Sequence, residues 1–562
     1  MGLMLEWFGI ESIDKDIKKE LKLIDELLDD VSDIDSVVNK IGVRKKKLRN
    51  LLAPNGRRIK NGFSLKKKVN DTLQPYLNGE KQTKNLTKIL ILHKMLSDFD
   101  HDHLWQELIQ LWNEEYDLIL KGNLDAVKNN LQEQKHIAET LKKVVVLEFN
   151  ETHIHFGPNI DADIHWKYLK RLWTIAVKEL KKPDVKAKIT EIRNTPRKDV
   201  DTNSYASNII LLLEAYNRTY NRSYCGRENY QRIYDDDKKA LHRIMRNYFS
   251  KKWTETKVFV EFEKLLIMQP EEYGTFRGFQ RKAEILNMIQ QAASSTNFRR
   301  EYFIKNIENM VQHNLAHNIT HIEIRYPVQQ LEGFKFFTEI IQETEKKYPV
   351  TIRAIQFPVR TIEALIKFYE EYSKLPKRIR KYIVGVDFVG DIENTEALNL
   401  AEKSGIPLCV HAGELFKRNT ESVEHALREV ELALNFPTIH RIGHATILGI
   451  DIRKYLQSKV KPAKITSLVR KQSELISRVK KQDVFIEANP SSNVQIAGLK
   501  HYGEHPIAKF SEHGVKFAIS TDDRVSFDTN LKKEFYRIAR ALRWTSEEID
   551  KAARMQKEAR LK

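Results

Sequence analysis

The sequence predicts an α/β fold: a (β/α)8 barrel of the TIM type, with an N-terminal helical domain and a helical insertion after the first strand. Three observations carry this. From Val144 onward, short apolar runs alternate with longer stretches of helical spacing, the pattern of parallel strand–helix units. The runs number eight, enough to close a barrel. Histidines and carboxylates stand at the carboxyl ends of several runs, where barrel active sites are built.

The expected strands, in order, are Phe149 to His155, Ile319 to Arg325, Val350 to Ile355, Ile383 to Phe388, Pro407 to Val410, Thr438 to Ile442, Val484 to Ala488 and Val515 to Ser520. The fifth is the clearest. It is apolar on both faces, as a buried parallel strand must be, and ends in His411-Ala412-Gly413-Glu414. Ala412 and Gly413 are read as leaving room for a ligand against the backbone. The first gap is the anomaly, because residues 156–318 far exceed one crossover helix. Residues 158–255 are therefore assigned to an insertion, basic and helical, with Trp166, Leu169, Leu172 and Trp173 spaced for one helix face. A segment inserted at a βα loop lies over the mouth of the barrel. The barrel domain spans 143–545, and 546–562 is a basic helical tail. Residues 1–142 read as a helical domain for assembly or partner contacts. Within them Arg44 to Lys68 is rich in Lys and Arg and free of Asp and Glu. That stretch is either a solvated surface or a phosphate-contacting face.

Composition sets the outer bounds. The 562 residues exceed one small domain, and a hydrophobic content of 41% suffices for a buried core. No run approaches the roughly 20 apolar residues of a membrane span. The first residues lack the pattern of a secretory signal. Only Cys225 and Cys409 are present, which fits a reducing cytoplasm and excludes a Cys-rich metal site. Any metal must be held by His and carboxylate. The net charge of +18 is either ordinary solubility or the footprint of a polyanionic partner such as nucleotide phosphate or RNA.

The strand ends supply a joint constellation. Alternation along the first run sends His153 and His155 to the same side. The fifth gives His411 and Glu414, the sixth His444, and the eighth the pair Asp522-Asp523. Three imidazoles and one carboxylate are a sound ligand set for zinc, which lowers the pKa of its water to about 7. Glu414 is placed to exchange protons with a substrate, and His444 to take a proton from water. A lone His-x-His or Asp-Asp is usually structural; their joint occurrence at the strand ends of one barrel is specific.

With His153-Ile154-His155, Val386-Asp387-Phe388-Val389-Gly390-Asp391, His411-Ala412-Gly413-Glu414, Arg441-Ile442-Gly443-His444, Asn489-Pro490-Ser491-Ser492-Asn493 and Ser520-Thr521-Asp522-Asp523 in place, residues 145–545, the insertion excluded, resemble the adenosine deaminase family of metal-dependent amidohydrolases. His321 to Pro327 resembles the family's second strand. The resemblance implies one Zn2+ per subunit on His153, His155, His411 and Asp522. It implies proton donation from Glu414 to the purine ring and positioning of the attacking water by His444. Asp523 and the Gly390 N–H would read the other ring nitrogens. The reaction implied turns adenine into hypoxanthine with loss of ammonia.

The chain also departs from the family. Phe156-Gly157-Pro158 replaces the expected sugar-binding aspartate, which Asp161 or Asp163 would have to supply. Arg524 follows the acidic pair in place of proline. A carboxylate lost and a guanidinium gained favour a phosphorylated substrate, an adenine nucleotide (ATP or dATP) or adenosine in RNA. The competing expectation is that Arg524 turns away and pairs within the fold. The added helical segments resemble the deaminase component of RADAR-type bacterial antiphage systems, which implies a large homo-oligomer and a partner ATPase. Two alternatives stand beside this: a housekeeping adenosine or AMP deaminase, and an inactive scaffold that binds RNA.

Overall fold

The computed structural model describes residues 147–179, 235–294 and 298–561, except 327–330, 390–393, 415–416, 418, 457–459 and 498, with isolated positions at 133, 136, 140, 143, 144 and 183. The expected N-terminal helical domain, its basic stretch and Cys225 therefore lie outside the described residues, isolated positions apart.

Eight strands form one sheet in chain order: β1 Phe149–His155, β2 Ile319–Tyr326, β3 Thr351–Val359, β4 Ile383–Val389, β5 Leu408–Ala412, β6 Ile439–His444, β7 Phe485–Ala488 and β8 Phe517–Ile519. Neighbours from β2 to β8 pair in parallel. A parallel bridge between Ile154 and Asp522, with the Asp522 N–H donating to the His153 carbonyl at 3.0 Å, returns the chain after β8 to β1. This is the (β/α)8 barrel, and all eight expected runs are strands. They are buried on both faces because the interior is filled by side chains and the exterior is covered by helices.

Between β1 and β2 lie α1 Ala162–Glu179, α2 Asp235–Phe249, α3 Glu255–Lys264, α4 Phe276–Ser294 and α5 Arg299–Ala316. Helical structure thus continues well past residue 255. Helix α1 buries Trp166, Leu169, Leu172 and Trp173. Trp166 packs on Tyr248 of α2 and Phe262 of α3, each with ring centroids 5.3 Å apart. Later helices start where the sequence offers a capping side chain. Thr361, Asn394 and Asn419 accept hydrogen bonds from the N–H groups of Ala364, Ala397 and Ser422. Residues Ser546–Glu558 of the expected tail are helical. Among the described residues, no helix is long and apolar enough to cross a membrane.

The chain divides into two compact units. One comprises residues 1–148, 314–319 and 539–551, and in it Lys143 pairs with Asp550 at 2.7 Å and Glu133 lies 3.4 Å from both Arg540 and Arg543. The other comprises 149–313, 320–538 and 552–562 and contains every residue of the site below.

One expectation is corrected. The missing side chain of Gly413 does not make room for a ligand. A Cβ there would lie 2.5 Å from Ile447 Cγ2 and 2.9 Å from Val430 Cγ2, both protein side chains, and the backbone holds φ at +66°. Gly443 performs the spacing role instead, since its Cβ would stand 3.3 Å from His153 Cε1. Replacing Gly413 with Ala combines overpacking with a left-handed backbone, so a loss of about 2–4 kcal/mol is expected. Denaturant midpoints at unchanged m-value measure it; a shift under 1 kcal/mol would show that the loop simply yields.

Candidate active site

The carboxyl ends of β1, β5 and β6 and the loop after β8 converge on one buried point. His153 Nε2 lies 3.3 Å from His155 Nε2. Asp522 Oδ1 lies 3.2 Å from His155 Nε2 and 3.6 Å from His153 Nε2. The His411 ring is centred 4.8 Å from that of His153 and 5.5 Å from that of His155. His444 closes the group, with Nε2 3.8 Å from Asp522 Oδ2. Ligand atoms of His153, His155 and Asp522 lie within 4.8 Å of one another, and so do those of His153, His411 and His444.

These spacings fit a small dication. Four ligands about 2.0–2.1 Å from a tetrahedral centre stand roughly 3.3–3.4 Å apart, close to the separations above. The donor chemistry agrees. His153 Nδ1 is 2.8 Å from Glu487 Oε2 and His411 Nδ1 is 2.9 Å from Asp387 Oδ1. A carboxylate can only accept, so each Nδ1 carries the proton and each Nε2 presents a lone pair to the centre. Burial pulls the His153 and His155 pKa values down, favouring the neutral imidazoles that ligate. At His411 burial acts the same way, but the Asp387 carboxylate outweighs it and the pKa rises. Burial would raise the Asp522 pKa, yet the hydrogen bond from His155 and the nearby imidazoles hold it far below the usual carboxylate range.

The remaining acids are held in the opposite state. Glu414 lies 3.4 Å from His444 Nδ1, and its pKa is pushed up to about 8 by burial, then by Asp522. Asp523 is raised well above its ordinary value by burial, then by Asp522 and Glu414. Its Oδ1 is buried without a hydrogen-bond partner. Two protonated carboxyls beside one ionised carboxylate can donate to two acceptor atoms of a bound ring. Burial lowers the His444 pKa to about 3, leaving a neutral base. Phe357 stands edge-on to His155, with ring centroids 4.4 Å apart, and lines the centre with an apolar surface.

Of the residues expected from sequence, His153, His155, His411, Glu414, His444, Asp522 and Asp523 come together. Gly390 lies outside the described residues. Arg524 takes the competing course. Its Nη2 donates to Asp161 Oδ1 at 2.6 Å and to the Asn159 carbonyl at 2.8 Å. The Asn159 amide in turn donates to the carbonyls of His155 and Asp522. Arg524 thus staples the loop after β1 to the loop after β8, and its charge is matched by Asp161. Asp161 also accepts from Asn309 at 2.8 Å.

Below the centre lies a layer the sequence reading did not assign. Arg325 donates from Nη2 to Glu487 Oε2 at 2.5 Å, from Nη1 to the Thr152 carbonyl at 2.9 Å, and from Nε to Asp387. Arg441 donates from Nη2 to Glu323 Oε2 at 2.5 Å, and its Nε is 3.1 Å from Glu487 Oε1. All five charged groups are fully buried. The signal was in the sequence: charged residues at alternate positions of β2 (Glu323, Arg325) and single charges inside the apolar runs of β4 and β7.

The sequence pattern of the adenosine deaminase family matches residues 307–559. The adenosine deaminase of Clostridium perfringens is 26% identical over 295 residues, which is 49% of this chain and 76% of that enzyme. That of Clostridium botulinum is 26% identical over 282 residues, 45% of this chain and 75% of the relative. Among solved structures, a zinc-bound amidohydrolase from Burkholderia ambifaria aligns with a TM-score of 0.45 at 11% identity, covering 75% of this chain and 88% of its own. An N6-mAMP deaminase from Arabidopsis aligns with a TM-score of 0.39 at 16% identity, covering 59% and 90%.

Glu487→Gln and Asp387→Asn each leave an imidazole free to choose the other tautomer. Metal affinity is expected to fall by about 10–100-fold in each, read as metal retained after dialysis against a graded chelator. Wild-type retention in both would mean that the rings are oriented without their carboxylates.

Proposed function

The chain belongs to the adenosine deaminase family and is a hydrolytic deaminase acting on C–N bonds; from that premise we propose that it deaminates the 6-aminopurine ring of an adenine nucleotide, free or within RNA, with zinc. The observation that carries this is the convergence at one buried point of His153, His155, His411 and Asp522 with two further carboxyls, Glu414 and Asp523, whose pKa values burial and then Asp522 raise. His153, His155, His411 and Asp522 would hold the ion; a three-nitrogen, one-oxygen set without cysteine suits zinc better than magnesium or calcium. Bound there, it would supply a Lewis acid and a water activated near neutral pH.

The chain's own groups do the rest. Glu414 donates its proton to the ring nitrogen beside C6, making that carbon electrophilic. Asp523, protonated, donates to a second ring nitrogen through the carboxyl that now has an unpartnered oxygen. His444 accepts a proton from the attacking water and passes it to the amino group, which leaves as ammonia; the second proton of that water, left on the new C6 hydroxyl, is released as the carbonyl forms and balances the one Glu414 gave. Phe357 supports this by offering an apolar wall.

The sugar end supports a phosphorylated substrate only in part. Gly157 stands where a sugar-binding acid was expected, and a Cβ there would lie 2.6 Å from Gln290 Oε1. Asp161 is held by Arg524 and Asn309. No carboxylate of this loop is therefore offered to repel phosphate, but Arg524 is not a free cation to clamp it. A large assembly, a partner ATPase and a role in antiphage defence remain part of the proposal through the resemblance of the helical additions; the mass of the particle in solution tests the first.

The decisive assay measures product by mass for adenosine, AMP, ATP and an adenosine-containing RNA oligomer, with metal content on the same sample. Turnover of phosphorylated substrates above adenosine is expected; adenosine preferred over all of them would return the chain to a nucleoside deaminase. Glu414→Gln is expected to remove ammonia release while zinc stays bound. Because only protonated Glu414 can donate, kcat/KM should fall as pH rises through its pKa, about 8 without metal and lower once a cation favours the carboxylate. The stability sign is opposite to that of a salt-bridged acid. A carboxyl with its folded pKa raised holds protons more tightly when folded, so metal-free stability declines as pH rises from 4.5 to about 8. The metal-free Gln variant should therefore melt above wild type at pH 9 and level with it at pH 4.

A further inference from the structure

At the amino end of the barrel strands, opposite the end that carries the imidazoles, the chain gathers cations that it does not neutralise. The run Lys377-Arg378-Ile379-Arg380-Lys381 holds four positive charges in five residues. It folds as one helical turn, Lys377–Arg380, and the Lys381 N–H donates to the Lys377 carbonyl at 3.2 Å. Positions i, i+3 and i+4 of a helix share a face, so Lys377, Arg380 and Lys381 are brought together while Ile379 is buried. That face lines a cavity of about 370 Å³. The strands contribute Ile383 and Val384 at the start of β4 and Pro407 just before β5. Tyr372 and Ser404 contribute from the last turns of the helices Ile362–Lys374 and Thr395–Ser404. Along β5, Pro407 stands four residues before His411, roughly 13 Å at about 3.3 Å per residue. The cavity is therefore separate from the reacting centre.

No carboxylate lines it. Acids on the flanking elements are engaged elsewhere: Glu371 pairs with Lys374 at 3.2 Å and Glu345 with Arg353 at 2.9 Å. Glu402, near the end of the helix Thr395–Ser404, is exposed and is not part of the lining. The Arg380 guanidinium lies 6.0 Å over the Tyr372 ring and the Lys381 ammonium 5.0 Å over the Tyr382 ring. These contacts hold the two stems and leave both charges without a counter-charge. Arg380 Nε is buried and has no hydrogen-bond partner, a loss that an acceptor inside the cavity would make good. The Ser404 hydroxyl is already used, donating to the Ala401 carbonyl at 2.9 Å and accepting from the Ile406 N–H at 3.2 Å. Recognition thus falls to the cations. The amino face of such a barrel ordinarily serves stability, and like charges at i,i+4 on one turn work against it. An anion joining the three accounts for the arrangement.

We propose that this cavity binds a phosphate-bearing small molecule of nucleoside-phosphate size. A guanidinium fork flanked by two ammonium groups suits phosphate oxygens. The volume lies within the range of small-molecule pockets, about 300–1,000 Å³, and exceeds what a lone phosphate ion fills. Ile383, Val384 and Pro407 offer the apolar wall such a pocket uses for the rest of its ligand. The concave, closed outline favours a compact ligand over a polynucleotide, which follows an extended charged groove. Binding here is independent of the reaction proposed above.

The experiment uses the full-length, metal-loaded protein at about 0.15 M salt, where long-range attraction between exposed charges is screened. Inorganic phosphate, tripolyphosphate, ATP and a short RNA oligomer are the probes, read by melting temperature and by equilibrium dialysis. Tripolyphosphate has no base, so it reports on this cavity rather than on a purine site. Wild type is compared with Arg380→Gln/Lys381→Gln and with a control, Lys454→Gln/Arg470→Gln, which removes the same charge from side chains 89% and 82% exposed on other helices. Tripolyphosphate and ATP are expected to stabilise wild type. The cavity variant should lose at least about tenfold in affinity for tripolyphosphate, the control no more than about threefold. Lys377→Gln, at an exposed position, gives the same comparison should the double variant fail to fold. Wild type unmoved by every phosphate compound, wild-type affinity in the cavity variants, or an equal loss in the control would each overturn the assignment. RNA bound while tripolyphosphate and ATP are not would also overturn it, in favour of a polynucleotide surface.

Discussion

Two guanidinium groups sealed inside the barrel are what the site depends on. Arg325 and Arg441 sit among Glu323, Asp387 and Glu487, all without access to water. Such a layer is not a bargain for stability, since each buried ion loses several kcal/mol of hydration that its partners only partly return. What it does is fix direction. Asp387 and Glu487 each face an arginine on one side and an imidazole Nδ1 on the other. Held ionised against the effect of burial, Glu487 by Arg325 and Arg441 and Asp387 by His411 and then Arg325, they stay acceptors, and so His411 and His153 must present Nε2 to the centre. With imidazoles counted as neutral, the layer carries one negative charge in excess and Asp522 adds another. A divalent cation is the charge this cavity balances.

Backbone strain completes the placement. His444, Ala445 and Asp522 all hold positive φ, at 65°, 44° and 58°, where a residue with a Cβ costs of order 1–3 kcal/mol. Each stands just where a strand or its extension ends. The strain is imposed by bonds that cannot relax separately: Ala445 N–H donates to the Ala412 carbonyl at 3.1 Å, and Asp522 N–H to that of His153 at 3.0 Å. The left-handed turn swings the side chain off the strand and into the mouth of the barrel. Gly443 beside it leaves the clearance His153 requires.

This explains what was legible in the sequence. The eight strands could be read because parallel strands buried on both faces are short, apolar and bounded by helical stretches. His153, His155, His411, His444 and Asp522 could be read because metal chemistry needs those residue types at strand ends. Less legible were contacts whose meaning comes from a partner distant in the chain. Arg524 reads as a phosphate clamp until Asp161 is seen to meet it across 363 positions. Gly413 reads as a ligand pocket until Ile447 and Val430 fill the space.

The protonation pattern also bears on which ring the proposed reaction admits. Adenine offers acceptors at N1 and N7, and the site offers two carboxyls that burial keeps protonated, Glu414 and Asp523. A purine that already carries a proton at N1 brings a donor to a donor, and a buried mismatch of that kind costs about 1–3 kcal/mol or more. The same logic runs after the reaction. Glu414 has by then given up its proton, and the ring nitrogen it protonated is a donor facing a carboxylate, a pairing that holds product until a new proton reaches the acid. Glu414 can be recharged from water because it remains partly exposed, with 16% of its side chain accessible, whereas His444 at 1% cannot exchange directly. In the proposed reaction the acid at the rim and the base in the interior would divide the proton traffic. The low dielectric that raises the Glu414 pKa also ties its reprotonation to product release.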